Sequence, residues 1–135
     1  MKNQQRGIAL LEALVAILIL GVGVLGMIGL QGKAYSSLSD AGMRAEATMA
    51  GDKLVGVMTN DLANAADYAL AADATPGDRI KPWLDETKAA IPGAKVVVAV
   101  AAATGAVRVD IDIKWTRKTG DRESRHHVTS YLAKS

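Results

Sequence analysis

Glu12 is the first side chain in this 135-residue sequence whose position calls for chemistry, because it is the one charge inside an apolar run over residues 8–30. On insertion scales an acid costs about 2.5–3.5 kcal/mol at the centre of a membrane helix and less near its end. Two readings of Glu12 stand open. It is either a charge snorkelling to water at the interface or a carboxylate awaiting a positive partner.

The other chemically suggestive residues weigh less. Gly21-Val22-Gly23-Val24-Leu25-Gly26 spells the dinucleotide fingerprint, with Glu46 20 residues beyond Gly26. That motif needs a strand before it and a parallel sheet around it, and the sequence offers neither. Close packing or flexibility of a membrane helix explains the glycines better. His126 and His127 are adjacent on an expected strand, so they point to opposite faces and cannot share one ion. With no Cys and no further His, no metal site is expected. Asp110 and Asp112 share one strand face with Arg108 and Lys114, the pattern of a salt-linked surface rather than an acid/base pair. The serines have no nucleophile-elbow context. Arg117, Lys118, Arg122 and Arg125 cluster at the last turn and read as a solvated turn or a weak contact for an acidic partner or lipid headgroups. No catalytic, cofactor-binding or metal residue is expected, and the chain is read as no enzyme.

The elements that carry these residues follow from periodicity. Residues 13–30 form an uncharged stretch of 18, roughly 27 Å of helix against a hydrocarbon core of about 30 Å. A cleaved secretory signal fits less well, since its apolar region is about 7–15 residues and ends at a small-x-small site. Lys2 and Arg6 precede the run and Lys33 follows it, which favours an inward N-terminus. No proline occurs before Pro76, so the helix is expected to continue to Leu62. Leu38, Ala41, Ala45, Met49, Val55, Met58 and Leu62 recur at helical spacing apart from a gap at Asp52, and are expected to face the head. Residues 63–81 read as loop with some residual helix, closed by Thr75-Pro76-Gly77-Asp78, and residues 83–91 as a short helix between Pro82 and Pro92-Gly93. The strict alternation over residues 107–116 is a half-buried strand. A Val/Ala strand precedes it through Thr104-Gly105, and a third over residues 124–132 follows Thr119-Gly120-Asp121. A sheet with one face to cover and a helix to cover it make an α+β arrangement.

Composition bounds the remainder. Of 16 basic side chains, Lys2 and Arg6 lie before the run, which leaves 14 against 14 acidic ones and no electrostatic footprint for nucleic acid. Phe is absent and aromatics are 4%, so a small head must lean on another element for its core. The absence of Cys excludes a disulfide framework.

Gly7-Ile8-Ala9-Leu10-Leu11-Glu12, behind a short basic leader and ahead of an apolar run, resembles the class III leader of type IV pilins and pseudopilins. The resemblance implies cleavage after Gly7 by a prepilin peptidase, methylation of the new N-terminus at Ile8, and Glu12 as the assembly carboxylate that meets a neighbour's terminal amine. Ile8 stands where the family commonly has Phe. Similarity to one minor-pilin subtype runs through residues 10–16, Leu30-Gln31, Arg44, Asp52, Met58, Asn60 and the strand at residues 109–115. The family's frequent C-terminal Cys pair and membrane-helix proline are absent.

The expectation is a pilin-like α+β fold: a long helix with a membrane half and an amphipathic half, packed on an antiparallel sheet of about three strands with one short extra helix. Its parts are a leader at 1–7, a membrane and assembly segment at 8–30, an amphipathic segment at 31–62 and a head at 63–135. The implied function is a minor pilin in a priming or tip complex. A type II secretion pseudopilin and a non-polymerising signal-anchored periplasmic protein are the alternatives, with a dinucleotide enzyme a distant third. The implied partners are the prepilin peptidase, other minor and major pilins, the inner-membrane assembly platform and the lipid bilayer. The implied location is the inner membrane, N-terminus cytoplasmic and head periplasmic, then the pilus.

Overall fold

The computed structural model describes residues 4–117 and 122–133. The turn expected at Thr119-Gly120-Asp121 lies outside them, as does Lys118. A helix α1 spans Gln4–Asn60, a 3-10 helix Leu62–Tyr68 and a helix α2 Lys81–Ala90; strands β1 (Lys95–Ala103), β2 (Ala106–Trp115) and β3 (Ser124–Ala133) follow. The chain divides into two compact units, Met1–Ser39 and Asp40–Ser135.

The first unit contributes no core. Every residue over 8–35 is exposed, including Leu10 at 72% and Leu25 at 70%. Its helix rests on backbone hydrogen bonds and on the absence of proline, and its side chains over residues 8–35 are left to what surrounds the protein.

The second unit is built around one hydrophobic core. Strands pair antiparallel in the order β1-β2-β3. The alternation of β2 does what period 2 demands: Val107, Val109, Ile111, Ile113 and Trp115 are buried, while Arg108, Asp110, Asp112 and Lys114 face outward. Ala103 pairs with Ala106 across a two-residue turn in which Gly105 takes φ 69°, a conformation glycine adopts without steric cost. In the segment read as loop, the chain makes the 3-10 helix, and Leu70 then forms an isolated bridge to Val98. Pro82 sits in the first turn of α2, where its missing N–H has no partner to lose, and Gly93 turns the chain at φ 77° after Pro92.

The covering helix face differs from the expected one. Over residues 40–60, α1 buries Ala47, Gly51, Leu54 and Met58, with Met43, Ala50 and Val55 packed beside them. Of the expected stripe, Met58 is buried and Val55 and Leu62 are partly buried, while Leu38 (70% exposed), Ala41, Ala45 and Met49 (55%) are exposed. At about 100° per residue, the stripe through residues 47, 51, 54 and 58 lies nearly opposite the one through 38, 45 and 49. The expected stripe broke at Asp52 because it mixed two faces. Gly51 marks the true one: a Cβ there would lie in van der Waals contact with Val128 Cγ2 at 3.4 Å and His126 Nε2 at 3.7 Å, so the space against β3 admits only a small residue.

Two polar contacts fasten α2 to α1. The Trp83 indole donates to the Ala50 carbonyl at 2.8 Å, and Lys53 pairs with Glu86.

Candidate functional site

The candidate site is the start of α1. Gly7 and Ile8 both lie within α1, near the beginning of its described span. Ile8 is 66% exposed. Glu12 follows one helical turn later, about 6 Å further along the axis and on the same side. It is exposed, and it has no hydrogen bond or ion pair among the described residues. A carboxylate so placed among exposed apolar side chains supplies a negative charge that no described side chain neutralises. The helix Ile8–Asn60 contains an 18-residue window of mean hydropathy 2.8, none of it buried, long and apolar enough to cross a membrane. That is consistent with anchoring in the inner membrane.

The fingerprint glycines take no part in a phosphate cradle. Gly21, Gly23 and Gly26 are helical, and a Cβ at any of them would meet nothing within 4 Å. The tight strand-to-helix turn that holds a pyrophosphate is therefore not formed.

In the second unit the suspected chemical groups are held by neighbours. Asp110 accepts from Thr129 Oγ1 at 2.6 Å and pairs with Arg108 at 2.9 Å; those bonds, Thr129's first, hold its carboxyl below the ordinary range. Asp112 is gripped by both nitrogens of the Arg125 fork. The two histidines part as strand geometry requires. His126 lies beside Gly51 on the covered side, while His127 Nε2 lies outside, 3.3 Å from Thr129 Oγ1 and 3.9 Å from Asp110. Among the described residues no group of three or more His, Cys, Asp or Glu is placed to hold a metal.

Sequence reasoning passed over a clamp at the end of α1. Asp61 accepts from Asn64 at 2.6 Å, Tyr68 Oη at 3.0 Å and Arg79 Nη1 at 2.6 Å, while Arg79 Nε reaches Asp67 at 3.0 Å. The Asn64 amide first, then the Tyr68 hydroxyl and Arg79, hold the Asp61 carboxyl below its usual value. Burial, then the Asp61 charge, push the Tyr68 phenol up. The local signal was Asp61 with Asn64 three residues on, a spacing suited to a side-chain turn. The Arg79 contact was not legible, since it crosses 18 positions.

No curated protein and no solved structure matches the chain significantly. Residues 2–28 match the family of the prokaryotic N-terminal methylation motif, whose leader implies processing by a prepilin peptidase and partners among pilins. With the long helix, the three-stranded antiparallel sheet and the short extra helix, that motif supports a pilin-like or pseudopilin-like protein.

Proposed function

We propose that the chain is a minor pilin of a type IV pilus, most similar to PilV, the type IV pilus modification protein, and that it takes part in priming assembly. The leader 1–7 is removed after Gly7, the amine of Ile8 is methylated, and residues 8–30 hold the subunit in the inner membrane until it enters the fibre. Residues 31–62 continue the helix and 63–135 form the periplasmic head. The observation that carries this reading is the methylation motif over residues 2–28, a span that contains Gly7, Ile8 and Glu12. The type II secretion pseudopilin shares that motif and differs in the apparatus it joins.

The physical argument concerns Glu12. In a bundle of apolar helices an ammonium and a carboxylate attract more strongly as the dielectric falls, and leaving one unpaired costs several kcal/mol. Subunits would therefore slide until the Glu12 of one meets the Ile8 amine of another. The charge sets register rather than catalysing a reaction.

Intact-mass and N-terminal analysis of protein from sheared pili tests the reading. Loss of residues 1–7 and a methylated Ile8 are expected. An uncut chain confined to the inner membrane refutes it.

A further inference from the structure

The start of β1 holds a feature that the assembly helix does not use. Leu70 and Val98 exchange both backbone hydrogen bonds, each 2.9 Å, so Val98 turns its N–H and C=O away from β2. Backbone direction alternates along a strand, so Val96 turns its own N–H and C=O the same way. Ala72 would be its partner if the pairing continued. Instead the chain turns off at Ala71–Ala74, closed by the Ala74 N–H to the Ala71 carbonyl at 3.2 Å, with Asp73 at φ 58°. Among the described residues nothing pairs with Val96 at this edge, where a cavity of about 380 Å³ lies between this turn, α2 and the first residues of β1.

Charge at this opening is arranged against folding stability. Lys95 pairs directly with Lys114, and Lys114 with Arg125, which places three cations in a row across all three strands on the outward face. Like charges directly opposite are destabilising. Arg125 is satisfied by Asp112, but Lys95 and Lys114 bond no carboxylate among the described residues, and neither does Lys88, which also lines the cavity. Asp73, Asp112 and Glu123 line it too; Asp112 is taken up by Arg125, and Asp73 and Glu123 reach none of the three ammonium groups. On an edge strand, lysine guards against indiscriminate pairing. It does so by rejecting apolar and basic strands, which leaves acidic ones admissible.

We propose that the open edge of β1 at Val96 receives an extended acidic segment of a partner protein as a short added strand. Main-chain bonds to Val96 would supply the alignment. A carboxylate opposite Lys95 would complete the cross-strand row, and an apolar residue opposite Val96 would sit over Leu84 and Ala94 at the cavity wall. This inference is independent of leader cleavage and of the pilus reading.

The test uses the full chain in detergent micelles and a fluorescein-labelled pentapeptide of alternating Glu and Val, read by anisotropy. Saturable binding is expected, weakened by salt and lost when the peptide's amides are N-methylated. The Lys95→Glu, Lys114→Glu double variant should bind at least about tenfold more weakly. Single Lys95→Glu should raise the thermal midpoint, because it turns a repulsive pair into an attractive one while weakening the peptide. That opposed pair of readouts separates a binding role from damage to the fold. Absence of binding overturns the proposal, as does binding unchanged by Lys95→Glu. Equal binding of the N-methylated peptide, with displacement by tripolyphosphate, also overturns it and leaves a plain anion site.

Discussion

The two units of this chain treat apolar side chains in opposite ways. In the first, Leu10, Leu14, Ile17, Leu18 and Leu25 are each more than 60% exposed; in the second, Leu54, Met58, Ile80, Ile91, Val109, Ile111 and Ile113 are fully buried. Neither is an error of composition. The second unit pairs its apolar faces internally, so its stability is its own. The first leaves about 25 cal/mol per Å² of apolar surface unclaimed, a free energy that becomes available only in lipid or against other helices. One unit is folded by itself and the other by its surroundings. Glu12 belongs to the first unit, and its energetics likewise depend on what lies beside it.

The largest expected effect breaks that dependence. Glu12→Gln removes the charge that would be paired in an assembly, and it should reduce incorporation into sheared fibres to near absence while leader cleavage continues. Immunoblots of sheared and cell-bound fractions read both at once. Normal incorporation would show that Glu12 is a tolerated interfacial charge.

A matched pair sharpens the contrast in packing. Leu54→Ala should destabilise the detergent-solubilised protein by about 2–5 kcal/mol, as cavity-forming core truncations do. Leu25→Ala should shift the same denaturant midpoint by less than about 0.5 kcal/mol, since Leu25 is 70% exposed and belongs to no core among the described residues. Equal losses would mean that the first unit has an internal core after all.

Glycines give a smaller version of the same contrast. Gly51→Leu drives a side chain into Val128 and His126 and should cost about 1–3 kcal/mol. Gly23→Ala adds a methyl to open space and should favour the helix by about 0.5–1 kcal/mol. Thermal midpoints followed by circular dichroism measure both.

Acid should touch the folded unit mildly. Asp61 and Asp110 have folded-state values below their ordinary ones, so their contributions are present above about pH 4 and fade as pH falls through the folded values. The thermal midpoint should therefore fall on acidification from about pH 4 downward. Asp61→Asn should start lower and fall less, because it has no carboxylate left to protonate. An Asp61→Asn titration parallel to that of the parent chain would remove the clamp from this account.

Much of the architecture was legible because it is written in short-range patterns. Residues 8–30 carry no competing charge beyond Glu12, residues 107–115 alternate without a fault, and Thr104-Gly105 and Pro92-Gly93 punctuate the chain. The 3-10 helix at Leu62–Tyr68 was legible only as residual helix without bounds, since alanine, asparagine and aspartate there suit turn and helix alike. The Asp61–Arg79 clamp and the Leu70–Val98 bridge join distant positions and leave no periodic trace.

By itself, then, the sequence determined the leader motif, the apolar segment behind it, the order of the elements and the inward face of β2. Each follows from local chemistry with a fixed period. It did not determine which side of α1 meets the sheet. Two apolar stripes run along residues 38–58, and helical spacing admits both. Tertiary structure chose the stripe through Ala47, Gly51, Leu54 and Met58, because that face joins the common core and its small residue at 51 sits against Val128 and His126 of β3, where a larger side chain would not fit. Close packing is a property of two surfaces together, and a sequence displays them one at a time.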